Sequence, residues 1–116
     1  MMHLPASVRV YLCASACDMR KSFDGLHALV TQSMELDAFA GHLFVFANRR
    51  KTRLKLLYWD GSGLWVCAKR LQEGCFSWPR TAEAAAVRIA SEELTLLLGG
   101  LDLEKTRARE WWRRAA

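Results

Sequence analysis

Apolar and polar positions alternate from Val8 to Leu12, with Val8, Val10 and Leu12 opposed to Arg9 and Tyr11, which is the period of a half-buried strand. The period then lengthens. Beyond Asp18, the residues Met19, Phe23, Leu26, Val30 and Met34 recur at steps of three and four, one apolar stripe of a helix with Asp18 as its cap. Arg20, Lys21, Asp24, Thr31 and Gln32 fall on the other faces, and Arg20 and Asp24 are spaced to pair across one turn. From His42 to Ala47 the chain is short, aromatic and β-branched, a second strand. Two more strand-like runs, Arg53 to Trp59 and Leu64 to Arg70, flank Asp60-Gly61-Ser62-Gly63, and Asp-Gly between such runs predicts an antiparallel hairpin. Gly74 to Pro79 is expected to add a short strand, closed by Pro79 because proline has no N–H for a central ladder. Thr81 to Ala90 is alanine-rich yet contains Val87-Arg88-Ile89, so a loose helix and a linker ending in a small strand both stay open. Ser91 as cap, Glu92 and Glu93 in the first turn, Leu94 to Leu98, and a stop at Gly99-Gly100 predict a short apolar helix.

Together these elements predict an α+β fold. A single domain over 1–103 would hold an antiparallel sheet of about four to five strands, with one main helix packed on it and a short C-terminal helix completing the core. Residues 104–116 form a basic tail containing Trp111 and Trp112. At 116 residues, 52% of them hydrophobic, there is apolar surface enough for one core and little room for a second.

Charge narrows the partners. Seventeen Lys and Arg against twelve Asp and Glu give +5 and a basic pI, which suits an anionic partner, with nucleic acid first because the cations cluster beside aromatic residues. Arg49, Arg50, Lys51, Arg53 and Lys55 are the leading candidates for phosphate contacts, followed by Lys69 with Arg70 and by Arg20 with Lys21. Tyr58, Trp59 and Trp65 stand near these charges in sequence, where stacking on bases competes with the commoner role of filling a core. Adjacent tryptophans in a basic tail cannot both face one core, so Trp111 and Trp112 are candidates for docking a partner.

Candidate catalysis is thin. Asp18, Asp24 and Asp60 are the carboxylates available to a two-metal mechanism, but each has a plainer use in a cap, on a helix surface or in a turn. Cys13, Cys17, Cys67 and Cys75 lack C-x-x-C spacing, and with His3, His27 and His42 they make no zinc pattern. The thiols therefore read as reduced and the chain as cytoplasmic, with no enzymatic activity, no cofactor, no metal and no membrane span.

Three stretches carry a family resemblance: Asp18-Met19-Arg20-Lys21-Ser22-Phe23-Asp24-Gly25-Leu26, Gly41-His42-Leu43-Phe44-Val45-Phe46, and Leu56-Leu57-Tyr58-Trp59-Asp60-Gly61-Ser62-Gly63-Leu64. Lys69-Arg70-Leu71, Gly74, Phe76, Trp78-Pro79, and Leu94 to Leu98 with Gly100 and Asp102 extend it over most of the chain. In these the chain resembles the TnpB accessory proteins of the family-66 insertion sequences, which are unrelated to the larger RNA-guided nuclease sharing that label. The resemblance implies a non-catalytic accessory of DNA transposition, encoded beside a separate transposase, and carries over no catalytic residue. Lys51-Thr52 departs from the family's usual Gly-Asp, and Cys67-Ala68 from its usual aromatic residues. Two mechanisms remain: contact with the DNA of the element ends through the basic cluster, or a protein-interaction module that docks the transposase without specific DNA binding.

Overall fold

A computed structural model describes residues 7–79 and 84–99. Its strands are β1 (Val10–Cys13), β2 (Leu43–Ala47), β3 (Arg53–Trp59), β4 (Leu64–Arg70) and β5 (Ala86–Ile89), and its α-helices are α1 (Phe23–Ala28) and α2 (Ser91–Leu98). The sheet has the order β4-β3-β2-β1-β5. Three neighbouring pairs are antiparallel, as the hairpin signal requires for β3 and β4, but β1 and β2 run parallel with Val10 opposite Leu43 and Leu12 opposite Val45. The sheet is therefore mixed, because the chain leaves β1, crosses through α1 and re-enters β2 in the same direction, a connection too long to be a hairpin.

Both faces of the sheet are covered, and β2 shows why its sequence does not alternate. Phe44 and Phe46 point to the α1 face with Leu57, Leu26, Val30 and Met34, while Leu43 and Val45 point to the α2 face with Val10, Leu12, Leu54, Leu94 and Leu97. Every residue of β2 is buried, as expected of a central strand apolar on both sides. Each such side chain contributes roughly 1.5–3 kcal/mol on leaving water.

The main helix is shorter than its apolar stripe. It begins at Phe23, not at Met19, and after Ala28 it widens into a π-turn over Leu29–Ser33 closed by Met34 N–H on the Leu29 carbonyl at 3.0 Å. Asp18 instead closes its own turn: Oδ1 accepts the Arg20 N–H at 2.9 Å, and the carboxylate takes the Arg20 guanidinium at 2.8 Å. Arg20 thus pairs with Asp18 rather than with Asp24, since the partner two residues away is reached without spanning a helical turn.

Two C-terminal expectations also change. Gly74 to Pro79 is not a strand: Phe76 donates to the Lys51 carbonyl at 2.7 Å and the Trp78 indole to the Cys13 carbonyl at 3.1 Å, isolated bonds that pin a crossing segment and plug Phe76 into the core. The free edge of β1 is taken instead by β5, with Leu12 opposite Val87, so the alanine-rich segment ends in a small strand, Ala86–Ile89. In α2 the cap is Ala90, not Ser91; the Glu93 carboxylate accepts the Ala90 N–H at 3.1 Å, and alanine has no side-chain oxygen to return the bond.

Candidate nucleic-acid interface

The register of the hairpin decides where the cations go. Side chains alternate along β3, so Arg53, Lys55, Leu57 and Trp59 share the α1 face, and pairing sets Arg53 directly opposite Arg70 and Lys55 opposite Ala68. Arg53, Lys55, Lys69 and Arg70 border one shallow depression of about 370 Å³, which Met19 closes from the α1 side. Like charges directly opposite on a sheet oppose folding. Between Arg49 and Arg70 the sequence has one carboxylate, Asp60, and it sits in the turn at the other end of the hairpin. Among the described residues, Arg20 with Asp18 is the one ion pair, so no described carboxylate neutralises Arg53 or Arg70.

Arg49 and Arg50 are exposed on the β2–β3 loop, and that loop is built to hold them. Asn48 Oδ1 accepts the N–H groups of Thr52 at 2.9 Å and Arg53 at 3.1 Å, while its amide donates to the Thr52 hydroxyl at 3.1 Å. The Lys51 N–H donates to the Asn48 carbonyl at 3.1 Å. A loop whose backbone is closed this way directs its apical side chains outward.

The remaining candidates have work inside the fold. Lys51 adopts φ of 59°, in the left-handed region that glycine favours, and turns its ammonium back over the Trp78 ring at 5.3 Å. Burial there lowers the Lys51 pKa, against a smaller opposite influence from Cys13. Lys69 Nζ donates to the Leu98 carbonyl at 2.6 Å, tying β4 to the negative end of α2. Lys55 Nζ donates to the Lys21 carbonyl at 2.8 Å and keeps further N–H groups for a ligand. Of the seven cations on the β2–β3 loop, β3 and β4, Arg49, Arg50, Arg53 and Arg70 are therefore those whose side chains have no described partner. Asn48, which sequence reasoning overlooked, was legible only as an Asn preceding a basic turn.

The aromatic candidates lie elsewhere. Tyr58 packs against the α2-side core, and the Trp65 indole donates to Asp60 Oδ2 at 2.7 Å with half its surface exposed. Trp59 meets Phe39 edge-on, with ring centroids 4.9 Å apart. All three sit where β3 turns into β4, some 20 Å along the strand from Arg53. Sequence proximity placed them beside the cations, whereas strand direction places them at the opposite end. Trp111 and Trp112 lie outside the described residues.

The carboxylates do not converge. Asp18 is held down to about 2, first by its hydrogen bonds from Arg20 and then by charge, while Asp60 is lowered by the Ser62 N–H, the Trp65 indole and the Gly63 N–H. The first lies near the end of β2 and the second near the end of β3, at opposite ends of the sheet. Burial raises the Cys13 and Cys17 thiols, the state of packed rather than nucleophilic sulfur. No group of three metal-ligating side chains is gathered among the described residues, and none of their helices is long and apolar enough to cross a membrane.

Comparison with known proteins adds the lineage. The family described as IS66 Orf2 like protein matches residues 8–108. The uncharacterised protein y4jC of Sinorhizobium fredii is 34% identical over 102 residues, covering 88% of this chain and 86% of that protein. The uncharacterised protein y4hO of the same organism is 37% identical over 107 residues, covering 92% and 90%. No solved structure matches. The matched segment contains the whole described sheet, both helices and the basic loop, and the chain belongs to the IS66 Orf2-like (TnpB) family of transposition-associated accessory proteins.

Proposed function

We propose that the chain assists transposition without catalysing it, by holding DNA of the element ends for a separate transposase. Arg49, Arg50, Arg53 and Arg70 act as the phosphate contacts, with Lys55 completing the track. The observation that carries this reading is the in-register Arg53–Arg70 pair, exposed and without a described carboxylate. Guanidinium groups so placed repel one another in the free protein and are relieved when a polyanion lies across them. Lys51 and Lys69 support the loop and α2 rather than the ligand.

The test is fluorescence anisotropy with the terminal repeats, a scrambled duplex and single strands, each over a salt series. Replacing the four arginines by alanine is expected to lower affinity for every DNA and to reduce the salt slope by about three to four, as loss of four phosphate contacts requires. An unchanged slope removes these residues from the interface. A preference for the terminal repeats that survives rising salt marks sequence recognition, and equal binding lost steeply with salt marks backbone electrostatics alone.

A further inference from the structure

At the end of the sheet remote from the arginines, three rings from three segments meet. Phe39, in the α1–β2 loop, has its ring centroid 4.9 Å from His27 on α1 and 4.9 Å from Trp59 at the end of β3. Phe39 is nonetheless 49% exposed, and Phe23, one helical turn before His27, is 47% exposed. The exposure is held in place: Asp37 Oδ1 accepts the Phe39 N–H at 2.9 Å, and the neighbouring Ala38 is fully buried. A large ring anchored at its backbone, braced on two sides and open on another, suits a contact made without ordering a loop.

The charge near Phe39 and Trp59 has one sign, whereas Phe23 stands two residues from Lys21, whose side chain packs against Gly25 of α1. No Lys or Arg occurs between Lys21 and Arg49, or between Lys55 and Lys69, whereas Asp24, Glu35, Asp37 and Asp60 fall in those two intervals. All four are exposed. Arg9 and Arg88 lie on the β1–β5 side, where they face His42. A carboxylate rim repels a phosphate backbone, so stacking on nucleic-acid bases is disfavoured at these rings although they are aromatic. A protein segment with an apolar anchor flanked by Lys or Arg matches both the rings and the rim.

We propose that Phe39, Trp59 and His27 form a docking patch for a basic, apolar-anchored segment of a protein partner, with Glu35 and Asp37 selecting its charge. The patch and the guanidinium groups lie at opposite ends of β3, so protein and DNA are bound together without competing. The choice of probe rests on the accessory reading above: the partner tested is the transposase of the same element.

Binding of purified transposase to the full chain is measured by biolayer interferometry without DNA, at low and moderate salt, for the wild type, Phe39→Ala, Glu35→Lys and Arg50→Ala. Terminal-repeat and single-stranded DNA affinities and circular dichroism are recorded for the same proteins. The expected result is wild-type binding that weakens with salt, a loss of tenfold or more for Phe39→Ala and about threefold or more for Glu35→Lys, and none for Arg50→Ala. DNA affinity stays within twofold for the two patch variants. The proposal is overturned if wild type does not capture the transposase, if both patch variants bind it as wild type does, or if Phe39→Ala weakens single-stranded DNA and spares the transposase. Transposase binding with no DNA binding by wild type upholds the patch and removes the DNA reading.

Discussion

At residue scale, the site depends on Asn48 as much as on any cation. Its side chain makes three hydrogen bonds inside the β2–β3 loop, two of them to backbone N–H groups that would otherwise lack a partner there. Asn48→Ala should cost about 2 kcal/mol in urea unfolding, at roughly 1 kcal/mol for each net bond with part replaced by water. It should also weaken DNA binding, because Arg49 and Arg50 lose their fixed base. Lys51 separates structure from binding in the opposite way. Lys51→Ala should lose about 0.5–1 kcal/mol of cation–π contact while leaving the DNA salt slope nearly intact, whereas Arg50→Ala should lower that slope by about 0.9 and leave stability alone. The identities of the basic residues were legible from charge density. Which of them stay available was not, because Lys51, Lys55 and Lys69 are engaged by Trp78, Lys21 and Leu98, partners 27, 34 and 29 positions away that no local pattern reveals.

His42 adds a pH prediction at the same scale. Its Nδ1 accepts the Arg9 N–H at 3.0 Å, which requires that nitrogen to be unprotonated. Burial lowers its pKa, and Arg9 and Arg88 add to the effect. The folded protein therefore holds this proton less tightly than the unfolded chain, whose histidine titrates near 6.5. With the folded value below the unfolded one, the cost is absent above about 6.5, grows as pH falls below it, and is complete below the folded pKa. Urea midpoints should fall from pH 7.5 to pH 5, and His42→Gln, whose amide oxygen can accept the same N–H at any pH, should flatten that part of the profile. An equally steep decline in the variant would assign it to another group.

At the scale of elements, what the sequence made legible was what is decided locally. The β3–β4 hairpin follows from Asp60-Gly61-Ser62-Gly63, and Asp60 accepts from the Ser62 and Gly63 N–H groups, the Ser62 hydroxyl and the Trp65 indole. Asp60→Ala should therefore lower the urea midpoint by more than an ordinary surface substitution does. The parallel β1–β2 pair was not legible, because apolar period reports which faces are buried and not the direction in which the chain returns. Nor was the start of α1. Met19 fits the helical stripe, yet the Arg20 guanidinium occupies the Asp18 carboxylate and closes a separate turn ahead of the helix. The two candidates for the fifth strand were decided at longer range still: β5 wins because β1 has an edge to fill, and Gly74 to Pro79 serves as a plug between loop and core.

At the scale of the whole molecule, among the described residues, Arg49, Arg50, Arg53 and Arg70 gather at one end of the β3–β4 hairpin, where the Asp18 carboxylate is already taken by Arg20, while Asp37 and Asp60 stand beside the aromatic rings at the other. That arrangement sets function against stability at low salt. Arg53 faces Arg70 across the hairpin, with Arg49 and Arg50 on the adjoining loop, and the repulsion is screened over a Debye length of about 10 Å at 0.1 M salt. Wild-type stability should therefore rise between 20 and 200 mM sodium chloride by roughly 0.5–1 kcal/mol, in the range of like-charge pairs on sheets. The four-arginine-to-alanine variant should be at least as stable as wild type at 20 mM and show a flatter salt dependence, even though it has lost its DNA affinity. Urea titrations of both proteins at the two salt concentrations give the comparison. A variant less stable than wild type at 20 mM would mean that the arginine stems stabilise the fold by packing, and the in-register pair would then be a structural feature instead of a site held ready for phosphate.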